Sequence, residues 1–432
     1  MTVSRNWRVP FFTMWIGQAV SLTGSHLVRF ALTWWLTEVT GSATALATAT
    51  IMFTLPAILI GPFAGALVDR LPRKWVLIIS DGTIALFTVV LSVLFWLDKA
   101  QPWHVFAIMF VRAVGDSFQT PTMMSTTPLM VPKEHLSRVA GMNATLWGVL
   151  SFAVPPLGAV LLSLMGVRGV LPIDVITAAI AVTILAFIRI PQPEGQRVQG
   201  KGAGAVLRDL GAGLRYVWDW KGMRYFIMTV LVWGIFITPL MSFQPLLVTE
   251  HFKGGALELG WLSSAFGIGL VAGGMVLSVW KGFKRHLATS IFGTLVSSLG
   301  RLIVGLSPAH AMWLAIAGQF IAGLGLSAHN SGERAAEQVA VAPEMQGRFF
   351  AVRQAAFTAL SPISLSIFGP VADAIGVRIF WILMPAAGLV NALVRRFVPA
   401  IYHMEDAGAD GRPVAAEGKP RSALAALADD DI

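Results

Sequence analysis

The chain has 432 residues, of which 55% are hydrophobic and only 13% are charged, and its mean hydropathy is +0.70. Soluble domains carry about 25% charged residues, so this composition excludes a water-surrounded fold and predicts a lipid-embedded one. Cysteine is absent, which excludes disulfides and thiolate metal sites. The formal net charge is +9, but the sequence has no basic patch interleaved with aromatic residues. We therefore expect no nucleic-acid partner.

Apolar runs separated by charged breaks predict twelve membrane-spanning helices. The first run is too long for the apolar region of a signal peptide, so we expect it to remain as the first span. The predicted spans cover residues 10–38, 43–68, 75–97, 102–127, 139–165, 170–190, 223–249, 257–280, 287–306, 310–332, 348–373 and 378–398.

The predicted spans divide into two sets of six. We expect an N-terminal bundle within residues 1–190 and a C-terminal bundle within 223–398. The polar stretch 191–222 between them is a predicted cytoplasmic linker, whose second half, 204–220, could form an amphipathic surface helix. Residues 399–432 are rich in Ala, Gly and Asp, which predicts a disordered cytoplasmic tail.

Basic residues are distributed unequally between the two sets of loops. With the N-terminus inside, the outer loops hold only Lys99, Arg168, Lys253 and Arg378. This asymmetry predicts that both termini are cytoplasmic. Besides the linker bases, the inner loops collect Arg70, Arg73, Lys74, Lys133, Arg138, Lys281, Lys284, Arg285, Arg334, Arg348, Arg395 and Arg396.

The two halves of the chain resemble each other in sequence. Span four, MFVRAVGDSFQT from Met109, aligns without gaps on span ten, QFIAGLGLSAHN from Gln319, at an offset of 210 residues. The segment Val131–Arg138 before span five has its counterpart in Val341–Arg348 before span eleven. These similarities favour a duplicated six-helix unit with a transport pathway at the junction of the halves.

The stretch 61–74, GPFAGALVDRLPRK, predicts a hinge between spans two and three. Two glycines four residues apart share a helix face and permit close helix packing. Pro72 and three bases then force the chain to turn in water on the positive side. Asp69 requires a partner, either a flanking arginine or a helix N-terminus. The alternative is an ordinary cytoplasmic loop. The predicted gating residues are Gly61, Gly65, Asp69, Arg70, Arg73 and Lys74.

Charges inside the predicted spans are candidates for function. Arg112 and Asp116 lie four residues apart on one face of span four and can pair with each other. Span ten has Ala322 and Leu326 at these positions, so the pair belongs to one half only. It either couples transport to protons, with Asp116 as the proton carrier, or only locks helices together. Arg29 in span one could bind an anion, pair with Asp116, or extend to the outer interface.

Other polar residues in the spans are assigned by position. Asp81 and Asp174 lie near span ends, where helix caps and loop pairs are expected, and Arg301 is expected to extend to the outer interface. Some polar and aromatic side chains should line a substrate cavity, although periodicity alone does not select them. The candidates are Gln18, His26, Arg29, Gln119, Asn143, Trp233, Gln244, Gln319 and His329.

Motifs for enzymatic chemistry are incomplete or missing. Residues 195–202, GQRVQGKG, approach a phosphate-binding loop but lack its final Ser or Thr and follow no buried strand. The sequence also lacks H-E-x-x-H and G-x-S-x-G. We therefore expect no enzymatic activity, no cofactor and no metal site.

The whole body of the chain, about residues 7–400, resembles the major facilitator superfamily, and within it the macrolide-efflux type of drug exporter, a group that also includes siderophore exporters. The resemblance implies twelve helices in two pseudo-symmetric bundles, alternating access, and proton-driven export. The motifs that carry it are Trp15–Leu22, Trp34–Ser42, the 61–74 loop, Val131–Glu134 with Gly141, Ile190–Pro191, and Glu258–Leu262 with Gly273 and Gly274.

Two segments depart from the family pattern. Loop 281–285 keeps the bases of the hinge motif but lacks its acid, and 155–158, PPLG, is only a fragment of the motif associated with antiporters. The main hypothesis is a monomeric cell-membrane exporter of amphiphilic molecules, of the drug-resistance type, that exchanges cargo for protons. One alternative is an exporter of siderophores or other anionic metabolites. Another, from a different class, is a non-transporting membrane sensor or scaffold.

Overall fold

The structure is a computed structural model that describes residues 7–68, 71–192 and 203–406, and these residues form helices without any strand. The helices are α1 (Arg8–Thr40), α2 (Ala43–Leu59), α3 (Gly61–Val68), α4 (Arg73–Trp96), α5 (Pro102–Met130), α6 (Leu136–Phe187), α7 (Ala203–Asp219), α8 (Lys221–Leu246), α9 (Ala256–Trp280), α10 (His286–Leu306), α11 (Met312–Ala340), α12 (Pro343–Ile375), α13 (Val377–Phe397) and α14 (Pro399–Tyr402).

The predicted spans all fall on helices, with two differences in continuity. Span two is divided into α2 and α3 near Ile60, because Pro62 has no amide hydrogen and cannot continue the ladder. Spans five and six fall on the two limbs of α6, which meet without a loop at Gly166, where the backbone leaves the helical region. The φ of 63° at Gly166 is one that glycine adopts without a Cβ clash, so no loop is needed there.

By length and apolar composition, eight helical stretches in the described part of the chain could each cross a membrane. One of them, Lys133–Phe187, is 55 residues long and contains both spans of α6. The helix Ala43–Leu59 is a shorter apolar stretch. The surface of these helices carries many exposed large apolar side chains, as expected for a protein whose surroundings are lipid.

The helices pack in two sets that meet along two junctions. In the first set, α6 contacts α1 and α4, and α5 contacts α2 and α4; in the second, α11 contacts α9 and α10, and α13 contacts α8 and α10. The main junctions between the sets are α6 with α9 and α2 with α12, and α2 also contacts α8. Glycines permit the close approach at both: a Cβ on Gly260 would lie 2.9 Å from that of Ala159, and a Cβ on Gly369 would lie 3.1 Å from that of Ala47.

The junctions are closer on one side of the molecule. We call the side on which α1 begins the inner side. The contacts of Gly260, Ser264 and Gly369 with the other set lie toward the outer side. Gly141 and Gly148, nearer the inner end of α6, have open space around them, since a Cβ added to either would meet no atom within 4 Å. The two sets are therefore packed together near the outer side, and α6 is unpacked around these two glycines near its first, inner residues.

The linker helix α7 begins and ends within one residue of the predicted helix 204–220. It packs on α8 and α12, and the backbone carbonyl of Arg348 lies 2.8 Å from a Cβ built on Gly213. After α13 the chain continues into α14, and Ile401 is buried. Residues 399–406 are thus packed structure. The rest of the predicted tail, 407–432, and linker residues 193–202 lie outside the described residues.

Candidate functional site

A cavity of about 760 Å³ lies in the first half of the molecule, among α1, α2, α5 and α6. Its wall is mostly apolar, with aromatic and methionine side chains interrupted by a few polar groups. The apolar members include Trp15, Leu22, Phe53, Met109, Met123, Met124 and Trp147, and the polar members include Gln18, His26, Arg29, Arg112, Asp116, Gln119 and Asn143.

Five of the nine predicted cavity residues line this cavity, and all five belong to the first half. Gln18, His26, Arg29, Gln119 and Asn143 line the cavity. Two of them contact its aromatic wall: Asn143 accepts a hydrogen bond from Trp15 Nε1 at 2.7 Å, and the His26 ring meets Trp147 edge to face. The other four candidates do not line this cavity. They are buried in the second half, and they are Trp233, Gln244, Gln319 and His329.

Arg112 pairs with Asp174, which differs from the pairing with Asp116 that the spacing suggested. Arg112 Nη1 lies 2.5 Å from Asp174 Oδ2, and Asp174 is fully buried. Thr88 donates to Asp174 Oδ2 at 2.9 Å and Ser25 donates to Oδ1 at 2.8 Å. The second limb of α6 thus brings a carboxylate from 62 residues away into the interior, where it neutralises Arg112.

Asp116 is the acid that faces the cavity. Within the described residues, no hydrogen bond or ion pair involves its carboxylate, although the charges of Arg112 and Arg29 act on it. Arg29 also lines the cavity, and its guanidinium lies over the Phe53 ring, 4.1 Å from the centroid. The cavity therefore holds one carboxylate and one guanidinium that are not engaged in ion pairs with each other or with other described residues.

Asp81 is buried and organises two of the cavity amides. Gln18 Nε2 donates to Asp81 Oδ2 at 2.7 Å, and Gln119 Nε2 donates to Oδ1 at 2.5 Å. The two amides are also joined, by a 2.9 Å hydrogen bond from Gln119 to Gln18. Because each contact restrains a side chain on a different helix, the trio fixes α1, α4 and α5 around the polar part of the cavity.

The predicted gating motif is only partly within the described residues. Gly61 and Gly65 lie on α3, and Asp69 and Arg70 lie outside the described residues. Arg73, at the start of α4, is buried and donates to the backbone carbonyl of Ser125 in α5 at 3.1 Å. Lys74 donates to the carbonyl of Ala186 near the end of α6 at 2.6 Å. The two bases thus tie the inner ends of α4, α5 and α6 together.

The second half contains a buried charged cluster that the sequence interpretation missed. Arg395 Nη1 lies 2.7 Å from Glu333 Oε2, Arg353 Nε lies 2.6 Å from Glu337 Oε1, and Arg353 also contacts Glu333. His329 Nε2 is 3.5 Å from Glu333 Oε2. Arg395, assigned from the sequence to an inner loop, is completely buried. The available signal was a pair of acids four residues apart within a predominantly apolar helix.

This cluster occupies the positions that form the cavity wall in the first half. Through the offset of 210 residues, His329, Glu333, Glu337 and Arg353 correspond to Gln119, Met123, Thr127 and Asn143. All four of the latter line the cavity. The duplicated unit has therefore specialised, with an accessible cavity in one half and a closed ionic cluster in the other.

Arg301 is buried in the second half without a carboxylate partner among the described residues. It contacts Ser297, and its guanidinium lies 6.0 Å from the Trp233 ring centroid and 5.7 Å from that of Phe266. It points into the helix bundle, whereas the sequence suggested that it extends to the outer interface. Separately, no three potential His, Cys, Asp or Glu metal ligands cluster in the part of the chain that the structure describes.

Two similar helical halves, with a mostly apolar cavity in the first half that reaches Thr127 and Ala140 near the inner side, define the major facilitator fold. Solved structures agree: a bacterial homolog of the human lysosomal transporter Spinster has a TM-score of 0.67 at 14% identity, covering 96% of this chain and 100% of that one. A POT family transporter has the same TM-score over 92% of this chain and 96% of its own. The chain belongs to the transmembrane secretion effector family, whose model matches residues 7–419.

The curated relatives are efflux proteins. Macrolide efflux protein A of Streptococcus pyogenes is 30% identical over 400 residues, covering 93% of this chain and 98% of that protein. The protein of the same name from Enterococcus faecalis is 27% identical over 75% of this chain and its own full length. Multidrug efflux pump Tap of Mycolicibacterium fortuitum is 24% identical over 92% and 98%. These findings confirm the predicted fold class and the predicted family resemblance: the chain is a multi-pass membrane transporter of the efflux type.

Proposed function

We propose that this protein is a secondary exporter of amphiphilic small molecules that works by alternating access and exchanges its cargo for protons. The observation that carries the proposal is an acid with no hydrogen bond or ion pair to a described residue, Asp116, in a large and mostly apolar cavity. The names of the relatives support an amphiphilic cargo, because they are a macrolide efflux protein and a multidrug efflux pump.

The cavity wall suits a bulky amphiphile. Aromatic and methionine side chains offer an adaptable apolar surface, and Met109, Met123 and Met124 all contribute to it. Polar groups are few and are restrained, since Gln18 and Gln119 are held by Asp81. Such a wall favours cargoes that bury a hydrocarbon skeleton and present a few polar groups.

Asp116 is the proposed proton carrier because its charge is not already neutralised by a bound partner among the described residues. Arg112 is engaged by Asp174, so protonation of Asp116 changes the net charge of the cavity by one unit without breaking that ion pair. A change of charge at this site would alter which conformation and which cargo the cavity favours. The cycle would therefore use Asp116 as the site at which proton and cargo compete.

The test separates coupling from binding. Asp116→Asn should abolish pH-driven efflux of a macrolide and of a cationic dye from everted vesicles, while counterflow of the same compounds without a pH gradient persists. The matched control is Asp98→Asn, which alters an exposed acid paired with Arg168 on the outer side. Unchanged pH-driven efflux in Asp116→Asn would remove Asp116 from the mechanism.

In this proposal the inner gate is formed by the hinge motif. Asp69 and Arg73 would hold the inner ends of the bundles in one of two arrangements, with residues 1–190 and 223–398 moving as units joined by the linker 191–222. Both termini would be cytoplasmic, and the protein would act as a monomer in contact with membrane lipids. If Asp69→Asn leaves transport rate and conformer populations unchanged, the gate assignment fails.

A second candidate function is export of an anionic metabolite such as a siderophore. Arg29 favours it, because this guanidinium lines the cavity and forms no ion pair with a described carboxylate. Arg29→Ala should then abolish efflux of a catecholate siderophore and spare a cationic dye, and Arg29→Lys should keep part of the siderophore activity. If Arg29→Ala instead abolishes efflux of the dye and spares the siderophore, the result supports the amphiphilic-drug assignment. Absence of counterflow for all compounds in proteoliposomes would favour a non-transporting sensor or scaffold.

A further inference from the structure

Asp373 lies at the outer end of α12, and its carboxylate crosses the junction to the first turn of α2. It accepts hydrogen bonds from Ser42 Oγ at 2.9 Å, from the Ala43 amide at 2.5 Å and from the Thr44 amide at 3.1 Å. The donors are about 330 residues away in the chain. An acid of the second half therefore caps a helix of the first half.

This contact satisfies groups that a helix cannot satisfy by itself. The first amide groups of a helix have no carbonyl partner within it, and they form the positive end of the helix dipole. Hydrogen bonds to a carboxylate are among the stronger ones in proteins. Ser42 serves both halves, since its hydroxyl donates to Asp373 and accepts from the Ala45 amide of its own helix at 3.3 Å.

Close packing next to the Asp373 carboxylate holds α2 and α12 near each other. Gly369 lies one turn before Asp373, and a Cβ at this position would be 3.1 Å from both Thr44 Cα and the Ala47 Cβ. Ala372 is also buried. The helix backbones must therefore stay close for the three hydrogen bonds to form, and any separation of the halves on this side would break them together.

We propose that Asp373 and the first turn of α2, residues 42–44, form an outer latch that holds the outer side closed while the cavity is open on the inner side. This inference rests on the alternating-access cycle proposed above and assigns a gating residue that the cargo need not touch. Opening the outer side requires the loss of all three hydrogen bonds to Asp373. The latch thereby sets the balance between the inward-open and outward-open states.

The absence of cysteine permits a direct measurement of that balance. Spin labels at Lys99→Cys and His310→Cys report the distance between the halves on the outer side, and labels at Lys133→Cys and Lys284→Cys report it on the inner side. All four positions are exposed. Asp373→Ala should raise the ratio of outward-open to inward-open molecules by about tenfold, since three charge-assisted hydrogen bonds are lost. Asp373→Asn, which keeps the side-chain shape, should give a smaller shift in the same direction.

The matched control is Glu258→Ala. Glu258 also caps the outer end of a helix, accepting from the Gly255 amide at 2.7 Å, but both residues belong to α9 and its N-cap. The control should leave both distance distributions as in the parent. If the Asp373 variants shift no more than Glu258→Ala, the latch is overturned.

A variant that adds a larger side chain between α2 and α12 distinguishes failure of the latch from failure of the proposed cycle. Gly369→Val keeps the carboxylate but forces α2 and α12 apart, so it should also populate the outward-open state. Outer opening in Gly369→Val without any shift in the Asp373 variants rejects the latch and leaves alternating access intact. If no variant lengthens the outer distance, alternating access itself fails, and with it both the exporter and the latch. The measurement uses no cargo, so an error in the proposed substrate class does not affect it.

Discussion

At the scale of single residues, Arg112 and Arg301 are buried guanidinium groups in opposite surroundings. Arg112 is neutralised by Asp174, whereas Arg301 has aromatic rings and Ser297 around it and no described carboxylate. A buried ion pair gains little over an apolar substitute, but removing one partner leaves an uncompensated charge that is strongly destabilising. Removing a charge should therefore have opposite consequences at these two sites.

The first prediction concerns Asp174. Asp174→Asn leaves the Arg112 charge buried without its counter-charge, and we expect it to lower the free energy of unfolding by about 3–5 kcal/mol. Thermal unfolding of the detergent-purified protein measures the loss. Asp98→Asn breaks an exposed ion pair with Arg168 and should cost far less, because solvent screens exposed pairs. Equal losses in the two variants would contradict a structural role for the Arg112–Asp174 pair.

The second prediction concerns Arg301. Arg301→Met replaces a buried charge that has no described counter-charge by an apolar chain of similar length, so the thermal unfolding midpoint should be kept or raised. Arg395→Met is the control, because it removes a partner of Glu333 and should lower the midpoint. A stable Arg301→Met protein that no longer transports would give Arg301 a role in transport. A large loss of stability would show that Arg301 has a compensating partner after all.

The residue scale also shows what sequence spacing can and cannot provide. The apolar context identified Arg112, Asp116 and Arg29 as buried or cavity-facing charges, because charge within a span is visible in sequence. The partner of Arg112 was not visible, since a spacing of four on one helix suggests Asp116 and gives no information about Asp174 on α6. For the same reason Arg395 was assigned to a loop: at the end of an apolar run, sequence does not distinguish an interfacial base from one that turns inward.

At the scale of helices, small residues determine which pairs pack closely. The contact between α10 and α11 is made largely backbone to backbone: a Cβ on Gly293 would lie 2.2 Å from the His329 amide nitrogen, and one on Gly325 would lie 2.2 Å from that of Ser297. Small residues at such interfaces are the usual device of membrane helix packing. The two helices accordingly have no room for a side chain at these points.

The third prediction follows from this contact. Gly325→Ala places a methyl group against the backbone of α10, which cannot yield as a flexible side chain would, and we expect a loss of about 1–3 kcal/mol or more. Gly148→Ala is the control, because no atom lies within 4 Å of its Cβ position. Thermal unfolding of both variants in one detergent tests the difference. A Gly325→Ala protein as stable as Gly148→Ala would mean that α10 and α11 pack less closely than described.

Helix positions could be predicted from the sequence, but their continuity could not. Apolar runs located all twelve spans, since lipid imposes a length that composition reveals. The division of α2 from α3 depends on how the chain responds to Pro62, and the direct joining of the two limbs of α6, without a loop, depends on the backbone dihedrals of Gly166. Both are local backbone outcomes that hydropathy does not encode.

At the scale of the whole molecule, the two halves share the repeated six-helix unit but have different interiors. The offset of 210 residues relates the wall of the cavity to the ionic cluster of Glu333 and Arg353. The first half thus encloses a cavity at positions where the second half has ion pairs between buried acids and bases. Under the proposed function, the cavity would bind cargo in one half, and the two halves would rock about their shared junctions.

The last prediction concerns the side of the membrane on which the cavity opens in this conformation. The excess of basic residues on the side where α1 begins predicts that this side is cytoplasmic. In intact cells, a membrane-impermeant maleimide should therefore label Lys99→Cys and His310→Cys, and it should label Lys133→Cys and Lys284→Cys only after permeabilisation. With that orientation, the cavity of the proposed exporter is open to the cytoplasm, and the proposed latch closes the opposite side. The reverse labelling pattern would contradict the predicted orientation, and a mixed pattern would contradict the twelve-span arrangement.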